Sequence, residues 1–394
     1  LHGTLPDTMG NFTSLVRFDA DYNKITGTLP PSLFDIQTLK VLWLDKNMLT
    51  GAIPPNIGNA LSMESLALED NLLTSTIPES ISSLQLMNRL DLNGNFLSGP
   101  LPSLANVSRL ARLYLRQGNF TGPIPKSWGA LSALRQLSLT NSLITGTIPT
   151  ELAVLTNLNQ IEISDNELLT GPIPTFTSLE LEYVQLYGNN LVGNLELFFT
   201  GQTNRLKHFD VEFNTLTGTI PVQIGQYKTL DTLILAHNLI SGTIPTTIGE
   251  LTSLKSSLHL YSNDLHGKIP SELGKLVRLT ELSLSNNNLT GTIPPEIGRC
   301  SQLFSLFLNY NNLTGTVPMI IATGLPELIY TYLHGNQLRD DFTDTFCARR
   351  DPVDQLGADC FSSSDAAGVT NRKVECPCCT YCCDAEQQCR KVTP

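Results

Sequence analysis

Cysteine is the residue type of this chain whose spacing points most directly to chemistry. Eight of the nine cysteines fall between residues 347 and 389, and six crowd into 376–389. Two overlapping Cys-x-x-Cys spacings start at Cys376 and Cys379, and thiolates at that spacing can hold zinc. We favour four disulfides and no metal, because zinc sites of this kind use two separated cysteine pairs. The pairing stays open. The predicted disulfide cysteines are Cys347, Cys360, Cys376, Cys378, Cys379, Cys382, Cys383 and Cys389.

The histidines and carboxylates form no recognisable catalytic motif. The chain has no glycine-rich phosphate loop, no His-Glu-x-x-His and no kinase signature. His237 and His259 lie on neighbouring predicted strands but about 10 Å apart along them, which is too far to share a metal. Adjacent carboxylates such as Glu69 and Asp70 are typical of a solvated surface. We therefore predict that the protein is not an enzyme and needs no cofactor; a catalytic triad assembled from distant residues is the alternative.

Composition and sequons indicate an extracellular protein that does not bind nucleic acid. The net charge is −11, whereas nucleic-acid binders present a basic face. There is no run of 18 apolar residues, so membrane attachment would come from a segment outside this chain. Asn-x-Ser/Thr sequons predict glycosylation at Asn11, Asn106, Asn119, Asn288 and Asn312.

The elements that must position any functional residue are internal repeats. The spacing Leu-x-x-Leu-x-Leu-x-x-Asn-x-Leu-x-Gly-x-Ile-Pro, seen from Leu39 to Pro54, recurs fourteen times at intervals of 23–25 residues. In Leu-x-Leu, alternate residues point inward from a short strand. The Asn amide can both donate to and accept from the backbone of the following turn. Because one copy cannot bury its own apolar face, the copies must stack into a solenoid.

This spacing resembles the leucine-rich-repeat family, and its Gly-x-Ile-Pro half resembles the plant-type subclass, over about residues 1–340. The resemblance implies an α/β solenoid, a right-handed superhelix with a parallel concave β-sheet. Leu1-x-Gly3 aligns with Ile25-x-Gly27, so the family's N-terminal cap is missing and we expect a longer parent sequence. Residues 341–394 are expected to form a Cys-rich C-terminal cap, although its dense cysteines depart from the family's short cap.

The ninth cysteine, Cys300, lies inside the repeats. It stands eleven residues before Asn311. Ile36 and Ala60 occupy the equivalent position of earlier copies, and we call such a set of equivalent positions a column. We predict a buried free thiol that packs as a small apolar side chain.

The outward residues of the strands are the candidate ligand-binding positions. In the first seven copies they include 16 charged residues and three aromatic residues. In the last seven copies they include six charged residues and nine aromatic residues. Exposed rings on a rigid sheet are typical binding anchors. We predict a shallow depression over Ser283, Ser285 and Ser305. The alternative is that the cap or a second copy covers the last rings. The predicted concave-face site comprises Phe304, Phe307, Tyr310, Tyr261, His259, Tyr330 and Tyr332.

The predicted function is non-catalytic recognition of a peptide, protein or oligosaccharide ligand on the concave face. The protein would be a receptor-like ectodomain or a secreted binding protein, placed at the cell surface or outside the cell by the secretory pathway. The resemblance leaves two alternatives open. One is a secreted inhibitor of cell-wall-degrading glycosidases, and the other is a structural or adhesive wall protein.

Overall fold

Two compact units make up the described chain. The computed structural model describes residues 1–176, 178, 180–200, 205–339 and Cys379 in full. It also describes the backbone of 340–341, 355–359, 374–375, 381–383 and 389–391. The first unit comprises Leu1–Val192 with Thr200–Arg205, and the second comprises Gly193–Phe199 with Leu206–Pro394.

Short strands, one from each repeat, form a main sheet in each unit. Neighbouring strands pair in parallel and in register because the copies have nearly equal lengths. Only the last described pairing, between Tyr381–Cys383 and Cys389–Lys391, is antiparallel. The first unit contributes Arg17–Asp19, Val41–Trp43, Ser65–Ala67, Arg89–Asp91, Arg112–Tyr114, Gln136–Ser138, Gln160–Glu162 and Tyr183–Gln185. The second contributes His208–Asp210, Thr232–Ile234, Ser257–His259, Glu281–Ser283, Ser305–Phe307, Tyr330–Tyr332, Gln355–Asp359, Tyr381–Cys383 and Cys389–Lys391.

A second set of short strands follows the main-sheet strands in chain order, after a turn. These strands pair in parallel and form flanking sheets. The first unit's flanking strands are His2–Thr4, Lys24–Gly27, Met48–Ala52, Leu72–Ser75, Phe96–Pro100, Asn119–Pro123, Leu143–Thr147, Asn166–Gly171 and Asn189–Leu191. Those of the second are Ser241–Thr243, Asp264–Lys268, Asn288–Gly291, Asn312–Gly315 and Gln337–Leu338. Asp340–Asp341 pairs separately with Val374–Glu375.

Most copies return to the next strand through a 3-10 helix that follows the Ile-Pro proline. Proline fixes φ near −65° and so starts the turn, as Pro54 does with φ −60°. The 3-10 helices are Asp7–Asn11, Pro31–Asp35, Pro55–Asn59, Glu79–Ser83, Lys126–Ala130, Val222–Gln226, Thr246–Glu250, Ser271–Lys275 and Pro295–Arg299. The α-helices in the described residues are Thr150–Ala153, Glu196–Phe199 and Met319–Gly324. Among these described helices, none has the length and apolar character that a membrane span requires.

The repeated asparagine forms the hydrogen bonds that the sequence predicts, and it reaches further than the turn. Asn47 Nδ2 donates to Leu44 O in its own turn at 3.1 Å and to Ala20 O in the preceding copy at 2.9 Å. Its Oδ1 accepts from Ile25 N at 2.9 Å. Asn287 repeats the pattern in the second unit. Each asparagine therefore links two stacked copies, and the predicted role of this position is confirmed.

Two further features of the interior bear on the predictions. Cys300 is a free, buried thiol whose Sγ lies 3.4 Å from Leu273 O, so its predicted environment is confirmed. Gly118 stands where most copies have the asparagine. A Cβ at Gly118 would lie 2.3 Å from the ring of Phe120. The Phe120 ring thus occupies the space that the asparagine side chain fills elsewhere.

Candidate functional site

Rings on the last two main-sheet strands of the second unit's repeats form one contiguous group. Phe307 stacks on Tyr332, with ring centroids 5.0 Å apart and planes 20° apart. His334 contacts both Tyr332, at 5.8 Å, and Tyr310, at 4.9 Å. The strand register produces this group, because Phe307 and Tyr332 lie directly opposite each other. We call Phe307, Tyr310, Tyr332 and His334 the distal ring group.

Phe304 and Tyr330 form a separate pair at the start of the same two strands. Their ring centroids lie 5.2 Å apart in an edge-to-face arrangement. Phe304 is 37% exposed, and Tyr330 is half-buried. The pair therefore leaves part of its aromatic surface open to a ligand.

A third set of rings lies on earlier strands of the second unit. Tyr261 contacts His259 at 5.7 Å and His237 at 5.1 Å, and His237 stacks on Phe213 at 4.1 Å. Phe213 is 54% exposed. We call Phe213, His237, Tyr261 and His259 the proximal ring group.

Several of these rings sit on an unfavourable backbone. The residue before the repeated asparagine adopts the left-handed conformation, with φ of 52° at Phe213, 49° at His237 and 55° at Tyr310. Glycine accepts this conformation readily, and other copies use it, as at Gly335 with φ 69°. Bulky side chains there cost free energy. The same conformation occurs at this position in most copies, for example at Lys46, Asp70 and Asp165, so it belongs to the repeat turn and does not distinguish the rings as binding residues.

Carboxylates border the proximal ring group. Tyr261 Oη donates a hydrogen bond to Glu212, and burial together with this bond raises the pKa of Tyr261. Glu281 accepts from Ser257 Oγ at 3.1 Å and lies 3.2 Å from His259 Nε2. Burial raises the pKa of Asp210 to about 6. These groups give the second unit's main sheet a face of rings with acidic acceptors beside them.

The predicted site residues fall into separate clusters. Phe307, Tyr310 and Tyr332 come together, Phe304 pairs with Tyr330, and Tyr261 pairs with His259. The three serines of the predicted depression, Ser283, Ser285 and Ser305, are buried at the strands between. Ser285 Oγ donates to Asn309 Oδ1 at 2.7 Å, so this hydroxyl is engaged within the protein. No set of side chains in the described residues is arranged to hold a metal ion.

Three members of these groups, His334, Phe213 and His237, were not among the predicted site residues. His334 occupies an outward position of its strand and would have been found if imidazoles had been counted with the aromatic rings. Phe213 and His237 are also outward residues, but only the structure shows that they stack. No other signal in the sequence indicates that pairing.

The C-terminal segment extends the main sheet beside the distal ring group. Gln355–Asp359 pairs in parallel with Tyr330–Tyr332, and Tyr381–Cys383 pairs with Gln355–Asp359. Cys379 is buried and disulfide-bonded. The side chains of the other seven cysteines predicted to form disulfides lie outside the described residues. The five sequon asparagines, by contrast, are all described and all exposed.

Several charged side chains on the first unit's main sheet pair with each other. Arg89 pairs with Asp91 at 2.8 Å. Lys40 pairs with Glu64 at 2.8 Å. Arg116 pairs with Glu162, and burial beside other carboxylates raises the pKa of Asp45 to about 6. The charges predicted from the sequence are therefore partly used within the sheet.

Stacked strands, the asparagine ladder and the flanking sheets define a leucine-rich-repeat solenoid. The Leucine Rich Repeat family model matches residues 38–60 and 278–300. Receptor-like protein 33 of Arabidopsis thaliana is 34% identical over 128 residues, 31% of this chain and 14% of that protein.

Solved plant receptors share the fold. The PEPR1–AtPEP1 crystal structure has a TM-score of 0.78 at 29% identity, covering 90% of this chain and 54% of that one. The ectodomain of the receptor kinase GASSHO1/SCHENGEN3 from Arabidopsis thaliana, in complex with CASPARIAN STRIP INTEGRITY FACTOR 2, has a TM-score of 0.77 at 29% identity. It covers 100% of this chain and 50% of that one. The chain thus spans about half the length of these receptor structures. These similarities support the plant-type leucine-rich-repeat family.

Proposed function

We propose that this chain is a non-catalytic recognition module that binds a peptide or protein ligand at the second unit's main sheet. The observation that carries the proposal is the distal ring group, in which the half-buried rings of Phe307 and Tyr332 stack across neighbouring strands. Aromatic residues on a preformed surface are typical binding anchors. The PEPR1–AtPEP1 structure and the complex of GASSHO1/SCHENGEN3 with CASPARIAN STRIP INTEGRITY FACTOR 2 support this class of ligand.

The setting that fits this function is the cell surface or the extracellular space. Exposure of all five sequon asparagines supports glycosylation at Asn11, Asn106, Asn119, Asn288 and Asn312. We also propose that residues 341–394 form a disulfide-bonded cap after a repeat region that ends near residue 340. The continued strand pairing and the disulfide at Cys379 support the cap.

An oligosaccharide is the second candidate ligand, because ring faces such as those of Phe307 and Tyr332 can stack on a sugar. The glycosidase-inhibitor alternative would rely on charged strand positions. The internal pairs Lys40–Glu64 and Arg116–Glu162 support it less, because those charges already have partners.

The test compares Phe307 with Leu308, the next residue along the chain. Phe307→Ala should weaken ligand binding by about 1–3 kcal/mol. Because the stack on Tyr332 is lost, it should also cost about 0.5–1.5 kcal/mol of stability. Leu308, which is fully buried, should show the reverse: Leu308→Ala should cost about 2–5 kcal/mol of stability.

The ligand would first be identified by screening secreted peptides and wall oligosaccharides against the whole chain. Affinity is then measured by calorimetry and stability by urea unfolding. If Phe307→Ala unfolds as readily as Leu308→Ala, or if ligand affinity does not change, the distal ring group is not the binding site.

A further inference from the structure

A groove in the first unit, which contains none of the ring-group residues, has the features of a second binding site. It lies over the beginnings of the main-sheet strands and encloses about 530 Å³. Its lining includes Trp43, Glu64, Arg89, Arg109 and Arg112. We call it the arginine groove.

The groove has an apolar end and a basic end. Val41, Ser65, Arg89 and Arg112 lie side by side on four successive strands. Trp43 belongs to the first of these strands. Neighbouring strands are about 4.8 Å apart, so the strand of Trp43 and the strand of Arg112 are separated by about 14 Å. Trp43 and the exposed Arg112 therefore lie at opposite ends of a short trough.

The ring at the apolar end is held in place. Trp43 Nε1 donates to Ser65 Oγ at 2.9 Å. The guanidinium of Arg17 lies 4.1 Å from the centroid of the Trp43 ring. A ring fixed from two sides loses little conformational freedom when a ligand binds to it.

The positive charge at the basic end is not balanced within the groove. Arg89 is paired with Asp91, and Glu64 with Lys40. Arg109 and Arg112 are exposed, and in the part of the chain that the structure describes neither forms an ion pair. Two such guanidiniums stand out on a chain of net charge −11. Arginine binds carboxylates through paired, charge-assisted hydrogen bonds.

We propose that the arginine groove binds an extended peptide segment that places an Asp or Glu side chain at Arg109 and Arg112 and an apolar side chain against Trp43. At about 3.4 Å per residue, the groove spans three or four residues between these two anchors. A polyuronide carries a carboxylate on every sugar and would place one beside Glu64. The one-sided charge of the groove therefore favours a peptide.

The experiment uses the whole chain and a defined set of fluorescent octapeptides. Each peptide has a Gly/Ser background with one Phe and one Glu, three, four or five positions apart and in both orders. Each has a partner with Gln in place of Glu. By anisotropy at low salt, at least one Glu peptide should bind about tenfold or more tightly than its Gln partner. High salt should remove most of the difference.

Matched variants locate the binding. Arg109→Gln with Arg112→Gln should weaken the best Glu peptide about tenfold or more. Lys24→Gln with Lys126→Gln makes the same change of charge on a flanking strand and a 3-10 helix, and should leave affinity within about twofold. Phe307→Ala should leave this affinity unchanged, so the result is independent of the ring-group proposal.

Three outcomes would overturn the proposal. The first is that no Glu peptide binds more tightly than its Gln partner. The second is that both double variants weaken binding equally, which would indicate non-specific charge. The third is that an α-1,4-linked uronic acid trimer, and not the peptides, binds in a manner that requires Arg109 and Arg112.

Discussion

Removing a single ladder asparagine should expose how the copies are held together. Asn287 is buried, and its side chain makes four hydrogen bonds to backbone groups. Leu260 O and Leu284 O each accept a second bond, from Asn263 and Asn311 respectively. Ser285 O also accepts from a backbone N–H. Only the N–H of Leu265, which donates to Asn287 Oδ1 at 3.0 Å, loses its side-chain partner.

Asn287→Ala should therefore lower the free energy of unfolding by about 1–3 kcal/mol, the cost of one buried donor left without an acceptor, rather than by the sum of four bonds. Asn288→Ala, one residue on, is the control. Asn288 is exposed and donates only to Asp264 Oδ1 at 2.5 Å, so we expect a loss of about 0.5 kcal/mol or less.

Both variants should be made in a host that does not glycosylate, because Asn288 begins a sequon. Urea unfolding gives the global effect. Since long repeat arrays can unfold in parts, hydrogen exchange at the Leu265 amide gives the local one. Equal unfolding midpoints for the two variants, or unchanged protection of Leu265 in Asn287→Ala, would refute the assigned role of the ladder.

Three other predictions follow from buried groups. Burial raises the pKa of the Cys300 thiol to about 11. Iodoacetamide should therefore leave Cys300 unmodified in the native, unreduced protein and label it after denaturation. Mass spectrometry measures the labelling, and labelling of the native protein would contradict the burial of Cys300. Gly118→Ala should lower stability by about 1–3 kcal/mol because its Cβ meets the Phe120 ring. Adding Phe120→Leu should restore much of that loss in urea unfolding, and no rescue would argue against the clash. Burial raises the pKa of Asp210 to about 6, whereas an Asp in an unfolded chain has a pKa of roughly 4. The folded state therefore binds the proton more tightly, and the free energy of unfolding should fall as the pH rises from about 4 through 6. Asp210→Asn should remove that part of the slope and raise the free energy of unfolding at pH 7 by about 1–3 kcal/mol; an unchanged slope in pH-dependent unfolding would count against it.

The repeat spacing predicted the strands, the asparagine ladder and the buried Cys300 because these depend only on the column that a residue occupies. Copies of equal length place each column beside itself in the next copy. Leu306 and Leu308 are therefore buried and Phe307 between them is not, as alternation along a strand requires. The same reasoning correctly separates Asn287, which is buried, from Asn288, which is exposed.

The tertiary structure alone decided which contacts the outward side chains make. The neighbours of an outward residue are side chains about 24 residues away in the sequence. The repeat position of that residue does not specify the sizes or rotamers of those neighbours. Neighbouring rings and amides bury Ser283 and Ser285, although both point outward. His334 joins the distal ring group only because Tyr310 and Tyr332 lie within reach. Likewise, Arg89 and Arg112 occupy one column, yet Asp91 neutralises the first and no described acid neutralises the second. Repetition fixes the backbone that every copy shares, whereas binding depends on the side chains in which the copies differ.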